Sequence, residues 1–467
     1  MKFIRWMVTF HVVLLCYLSW NPSFTQSEHD EAIYLGAGSV IWHTGEVANK
    51  MTEAHPPLTY YFNSLLLGAN PIDWEKRTDW LEGAKKIEDS KEREHSLHFL
   101  ESIGTDIVNQ TRAAGKSVAA VLFRARLPYV ALSLAFLCYL IYACRNLDLN
   151  LRRLVVSLYA ISPIVLSLAP GVMTDLPMVI FCMAALFSLR DFLKAPSWRQ
   201  LAWAGFWQGL ALGSKVSAVL LVPCGVVVVA WSCFEHGAGL RRQMNLFSRQ
   251  VVVLFLMTFV TLWGVYGLQV DSLARVEKLH RAFPLHELEQ METPASYLEK
   301  NYPRLHHAKL PMVSFLMPVR LVFHRRHALN ERTAVEGPFR EWVESKWYPW
   351  TVVLTYFPLS FVLLLLFASI QVIRRKSQAF RRDWLPFVLF TMLYGWSAFT
   401  SNYLYGTRHV FPIFVPLLLW MALSLQTMGD SEKHRCRYVF AGLLGLLGLE
   451  TALFLCTNHA WSLWMYA

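Results

Sequence analysis

Charge is scarce in this chain, and cysteine is missing from its two longest polar segments. Only 16% of the 467 residues are charged, while 55% are hydrophobic and 14% aromatic; a soluble domain carries roughly 25% charge. An ordinary soluble globule is thereby excluded. All eight cysteines (Cys16, Cys138, Cys144, Cys182, Cys224, Cys233, Cys436 and Cys456) fall in or beside hydrophobic runs. No disulfide framework and no cysteine metal site follows from that placement. The sequence also has no internal repeat, no low-complexity tract and no pair of segments related by an inverted pattern, which speaks against a transporter built from inverted halves.

What the chain does have is a series of apolar runs. A bilayer core about 30 Å thick is crossed by roughly 20 apolar helical residues. Runs of that kind lie near 4–20, 124–144, 152–169, 173–189, 199–213, 216–234, 249–269, 350–373, 384–400, 407–427 and 437–457. The fold class expected is an all-α integral membrane protein, a bundle of about eleven transmembrane helices forming one domain over 1–467. The net charge of +11 does not point to nucleic acid, because the basic residues gather in every second connection: Arg145, Arg152 and Arg153; Arg190, Lys194 and Arg199; Arg241, Arg242 and Arg249; Arg374 to Lys376; Lys433, Arg435 and Arg437. This is the positive-inside pattern. It puts the N-terminus inside, with Lys2 and Arg5, and makes 21–123 and 270–349 two large outer loops. The first apolar run resembles a signal peptide, but no small-x-small cleavage site follows and Pro22 interrupts, so a retained anchor is expected.

Within the first outer loop, Trp80, Ile87, Leu97, Leu100 and Ile103 recur at rough helical spacing in a charged stretch, which predicts helices lying over the membrane. The second loop contains "MVSFLMPVRLVFHRR", too short to span and basic at one end, and an interfacial helix is expected there.

Ionisable residues recur at the outer ends of the spans. "HDEAIY" follows the first, "EAHPPLTYY" comes some twenty residues on, "RARLP" opens the second, "MTDLPM" the fourth, "GSKVSA" the sixth and "YLYGTRHVFP" the tenth. Each has a bland reading. Asp30 and Glu31 suit a helix N-terminus. Asp175 before Leu176 and Pro177 reads as an N-cap with proline in the first turn. Lys215, Arg408 and His409 could snorkel to the interface. Taken together they suit a substrate with an anionic head and a lipid tail, since charge at a bilayer edge is costly unless paired or used. Arg126, Lys215 and Arg408 fit a phosphate. Asp30 or Glu31 fits a base that takes a proton from an attacking hydroxyl.

These segments, in this order, resemble the GT-C superfamily of membrane glycosyltransferases, above all the branch of protein mannosyltransferases, aminoarabinose transferases and lipopolysaccharide-core sugar transferases. The resemblance runs from "HDEAIYL" through "HPPLTYY", "RARLP", "TDLPM" and "GLALGSK" to "YGTRHVFPIFVP". It implies inverting transfer of a sugar from a polyprenyl-phosphate donor to a lipid, glycan or protein acceptor, with the donor entering between helices. It implies Asp30 as catalytic carboxylate with Glu31 beside it, the adjacency leaving open which one acts. His55 stands where many relatives have lysine, and with Arg126, Asp175, Lys215, Tyr405, Arg408 and His409 it is expected to hold the substrate or the lipid phosphate. No metal ligands are assigned, although some members use a divalent ion; His280, His286, His306, His307, His324 and His327 form a poor ligand set without carboxylates. Bacterial and eukaryotic members share this topology; the compact chain without appended domains leads to the expectation of a bacterial inner membrane with the site facing the periplasm, the endoplasmic reticulum being the alternative. Rival readings are a transporter, a flippase or ligase of lipid-linked glycans, and a non-catalytic subunit. "NQT" at Asn109 is a glycosylation sequon on the outer side.

Overall fold

The computed structural model describes residues 2–21, 28–44, 55–67, 95–235, 239–272, 307–311, 315, 359–375, 384–400, 411–426 and 430–456. Each of the eleven expected spans contains helix within these residues. The chain begins with Lys2–Ser19 (α1), Glu28–Thr44 (α2), Leu58–Leu67 (α3) and His95–Ala113 (α4). Val118–Ala143 (α5), Leu149–Ala160 (α6), Pro163–Leu168 (α7), Asp175–Lys194 (α8) and Trp198–Ser214 (α9) follow. A 3-10 turn at Val216–Leu220 leads into Leu221–Phe234 (α10) and Leu240–Val265 (α11). The C-terminal part holds Leu359–Arg375 (α12), Leu385–Thr400 (α13), Phe411–Gln426 (α14) and Asp430–Cys456 (α15). The only strands among the described residues are Val270–Ser272 (β1) and Lys309–Pro311 (β2), paired antiparallel with Asp271 opposite Leu310. The protein is an all-α membrane bundle: among the described residues, six helical stretches are long and apolar enough to cross a bilayer, and four shorter apolar helices accompany them.

Local chemistry sets the boundaries. Ser117, Asp148 and Ser197 cap α5, α6 and α9, each side chain accepting from a backbone N–H two or three residues on, which satisfies a donor that the first turn would leave unpaired. The run expected to form one span at 152–169 does lie in one membrane-length stretch, Leu149–Leu168, with its helix interrupted between α6 and α7, because Pro163 has no N–H to continue the ladder and takes the first position of α7 instead. The Ile161 carbonyl at that break accepts from the Thr451 hydroxyl of α15 at 2.6 Å.

Most of the buried side chains form one apolar core shared by α1, α5, α6, α8 and α14, with a smaller cluster where α8, α9, α10 and α11 meet. The larger core is threaded by one buried polar chain. His11 Nδ1 lies 2.6 Å from the Ala160 carbonyl oxygen, and Nε2 lies 3.1 Å from Ser133 Oγ, which is 3.2 Å from the Tyr159 hydroxyl. A carbonyl can only accept, so Nδ1 carries the hydrogen and Nε2 faces the serine. Three helices, α1, α5 and α6, are thereby joined through groups that lipid could not satisfy.

On α9, Gly205, Gly209 and Gly213 face α11 at four-residue spacing. A Cβ at Gly205 would stand 2.6 Å from the Leu254 carbonyl oxygen, and one at Gly209 would stand 2.8 Å from that of Thr258. Glycine lets the two backbones approach, as small residues do throughout membrane bundles. At the other end of the sequence, Glu450 of α15 accepts from the backbone N–H groups of Leu359 and Ser360 and, at 2.6 Å, from the Ser360 hydroxyl. A carboxylate from the last described helix thus covers the N-terminus of α12.

Candidate functional site

The tripeptide His29, Asp30, Glu31 lies in the first turn of α2, where the helix dipole favours negative charge. α2 is held by α4 and α3. Gly104 of α4 meets the Ala32 backbone so closely that a Cβ would stand 2.0 Å from its carbonyl oxygen, and Gly38 faces Tyr60 and Asn63 of α3 in the same way. The Asn63 amide donates to the Tyr34 carbonyl at 2.7 Å. The proline pair Pro56 and Pro57 opens α3: the N–H groups of Tyr60 and Tyr61 both donate to the Pro57 carbonyl. The stretch "HPPL" is therefore a helix start.

The two adjacent carboxylates have different surroundings. Glu31 is fully buried and faces Arg126 of α5, itself fully buried. Arg126 Nε donates to Oε1 and Nη2 to Oε2, both at 2.9 Å, while the Val172 N–H donates to Oε1 at 3.2 Å. Arg126 Nη1 turns back to α1 and donates to the Ser19 carbonyl at 3.1 Å and to the Asn21 carbonyl at 2.8 Å. Four of the five guanidinium N–H groups are thus committed inside the protein. Such a pair is tolerated in a water-free place because the fork geometry and the extra backbone partners offset the cost of desolvation. Asp30, one residue earlier, is only partly buried. Its charge reaches Tyr60: burial, first, and the Asp30 carboxylate, second, push the Tyr60 phenol well above its ordinary range.

Around Asp30 the surface is aromatic. Tyr34 packs on Tyr60 with ring centres 5.9 Å apart and meets the His55 ring edge-on at 5.7 Å. Tyr61 donates to the Val265 carbonyl at the end of α11, and Tyr129 of α5 to the Thr59 carbonyl, both at 3.0 Å. α3 is thereby fastened to α5 and to the last turn of α11.

The second ion pair joins α8 and α9. Lys215, in extended conformation just after α9, places Nζ 2.6 Å from Asp175 Oδ1. The carboxylate is nearly inaccessible and the lysine is 12% exposed. Asp175 stands in the first turn of α8 and Thr174 takes the cap position expected for it, so the aspartate side chain is turned to the lysine. Ser217, two residues on, lies 3.4 Å from the Tyr394 hydroxyl of α13. Val172 and Asp175 belong to one connection, which brings both ion pairs to the same end of the bundle.

The remaining expected residues, Tyr405, Arg408 and His409, lie outside the described residues, as do Trp80, Ile87, the interfacial segment of the second loop except Phe315, and all of that loop's histidines except His307. Leu97, Leu100 and Ile103 fall on α4. Asn109 is exposed on α4, but Thr111 of its sequon is buried and its hydroxyl donates to the Ile107 carbonyl at 2.6 Å. Among the described residues no three His, Cys, Asp or Glu side chains gather in a metal-holding group. Glu31, the carboxylate next to Asp30, already accepts three N–H groups. Sequence reasoning did not find the Val172 N–H or the carbonyls of Ser19 and Asn21, because backbone groups leave no mark on residue identity. Tyr60 and Tyr266 were visible only as aromatics.

No curated protein matches this chain. Residues 115–266 match the family model of dolichyl-phosphate-mannose-protein mannosyltransferase. That segment is about a third of the chain; it contains Arg126, Asp175 and Lys215 and stops short of Asp30, Glu31 and His55. Over that segment the chain is similar to membrane-embedded mannosyltransferases, in keeping with its all-α membrane bundle.

Proposed function

We propose that this protein transfers a sugar from a polyprenyl-phosphate carrier to a hydroxyl of a lipid, glycan or protein acceptor, at the outer face of a membrane, with Asp30 as the base. The observation that carries the reading is the unequal fate of two neighbouring carboxylates. Glu31 is fully buried and held by Arg126 and Val172, whereas Asp30 is only partly buried at the start of the same helix, and residues 115–266 are similar to mannosyltransferases. In this reading Glu31 and Arg126 are positioning residues: they fix the first turn of α2 against α1 and α5, and so fix Asp30.

The reaction follows from those placements. The acceptor oxygen attacks the anomeric carbon from the face opposite the phosphate, Asp30 takes the hydroxyl proton, and the bond from that carbon to the phosphate oxygen breaks with inversion. The electron pair leaves on the polyprenyl phosphate, which needs cations more than it needs an acid. Lys215 is assigned to that charge, with Asp175 holding its ammonium in place; His55, Tyr405, Arg408 and His409 are assigned to the same substrate on the resemblance alone. The loop at 21–123 then carries the base, and the loop at 270–349 meets the acceptor or the lipid. The proposed setting is a bacterial inner membrane with the site facing the periplasm, the endoplasmic reticulum being the alternative.

Mass analysis of glycolipids and glycans from cells with and without the gene tests this. One glycan class should vanish with the gene, return with the wild-type chain and stay absent with Asp30→Asn. Full return with Asp30→Asn would falsify the carboxylate mechanism.

A further inference from the structure

Tyr266 follows the last residue of α11 and is 1% exposed, and its hydroxyl has no hydrogen-bond partner among the described residues. A buried hydroxyl left without a partner costs on the order of 1–3 kcal/mol, and the great majority of buried polar groups avoid this. The surroundings are well ordered by contacts: the Tyr61 hydroxyl is fixed on the neighbouring Val265 carbonyl at 3.0 Å, and the Tyr266 ring meets Phe315 edge-on at 6.1 Å. The Tyr60 and Tyr61 hydroxyls lie nearby, and a tyrosine hydroxyl, with an ordinary pKa of about 10, is a neutral donor near pH 7. Asp30 acts on Tyr60 in turn. A neutral donor among aromatic rings suits a neutral hydroxyl flanked by C–H faces better than it suits a phosphate, which calls for cations.

We infer that the Tyr266 hydroxyl is a specificity-determining contact for a hydroxyl of the sugar being transferred, unsatisfied until the glycolipid is bound. This rests on the glycosyltransferase reading given above. Strain of this kind, held in the free protein and relieved by substrate, is a known signature of recognition sites.

Tyr266→Phe tests it, with undecaprenyl phosphate bearing mannose and undecaprenyl phosphate without sugar as the probes, titrated against the full chain in detergent. Loss of one hydrogen bond predicts about five- to tenfold weaker binding of the sugar-bearing lipid, unchanged binding of the bare lipid, and a thermal midpoint without ligand equal to wild type or higher. An equal loss for both lipids, or no loss for either, overturns the inference. So does a lowered midpoint of the ligand-free variant, which would mean that the hydroxyl already has a partner. Failure of the wild-type chain to bind either lipid would overturn the glycosyltransferase reading along with it, and is told apart from the other outcomes by the wild-type titration alone.

Discussion

Glu31 and Arg126, ninety-five positions apart, meet side to side through two parallel hydrogen bonds of 2.9 Å with neither side chain exposed. The arginine ties the end of α1 to the start of α2, and the glutamate ties the connection before α8 to both. This makes the pair the joint on which the first turn of α2 rests. Removing one partner leaves a buried charge without compensation, so Glu31→Leu or Arg126→Met alone should destabilise the protein by about 3–5 kcal/mol. The double variant Glu31→Leu with Arg126→Met should recover most of that loss. Thermal unfolding in detergent reads the cycle, and a double-variant loss equal to the sum of the two single losses would show that the pair is not coupled.

Asp30 should behave in the opposite way to its neighbour. Asp30→Asn is expected to leave the thermal midpoint within about 1 °C of wild type, because the side chain is only partly buried and asparagine keeps its size and polarity, while lowering transfer by on the order of 10²–10⁴-fold as general bases do. Glu31→Gln should lower midpoint and activity together. Matching unfolding curves and sugar-transfer rates for the two variants separate a reacting carboxylate from a positioning one.

Asp175 and Lys215 are close enough to act as one unit. In a double-mutant cycle of Asp175→Asn and Lys215→Met, transfer rates should show a coupling of about 0.5–3 kcal/mol. Additive losses would mean that the two residues serve separate steps.

The glycine face of α9 makes a prediction about packing alone. Gly209→Val puts branched carbon where Thr261 and the Thr258 carbonyl already stand, so α9 and α11 must part, at a cost of about 1–3 kcal/mol. Gly442→Ala on α15, where an added Cβ meets nothing within 4 Å, should be neutral or stabilise by up to about 1 kcal/mol, the helix propensity difference. Parallel unfolding of the two variants checks both.

Much of this architecture was legible because the bilayer imposes it. Apolar length and the alternation of basic connections are set by solvation, and both are written directly in residue identity. The break between α6 and α7 was missed because the apolar run continues through it; only Pro163 marks it, and proline is common in membrane helices. Asp175 was read as a cap, since sequence shows a helix start but not the lysine forty residues later that turns the side chain away. The choice between Asp30 and Glu31 was undecidable from adjacency: α2 turns by about 100° per residue, and only the position of Arg126 shows which carboxylate faces inward.

The carboxylate of Glu450 on the first turn of α12 bears on how the chain is assembled. α12 is synthesised some ninety residues before the side chain that covers its N-terminus. Until α15 is inserted, the N–H groups of Leu359 and Ser360 must be served by water or lipid headgroups at the membrane boundary. α12 therefore reaches its final seat only once α15 is in place, and a ribosome stalled before Glu450 would hold α12 in the membrane without it.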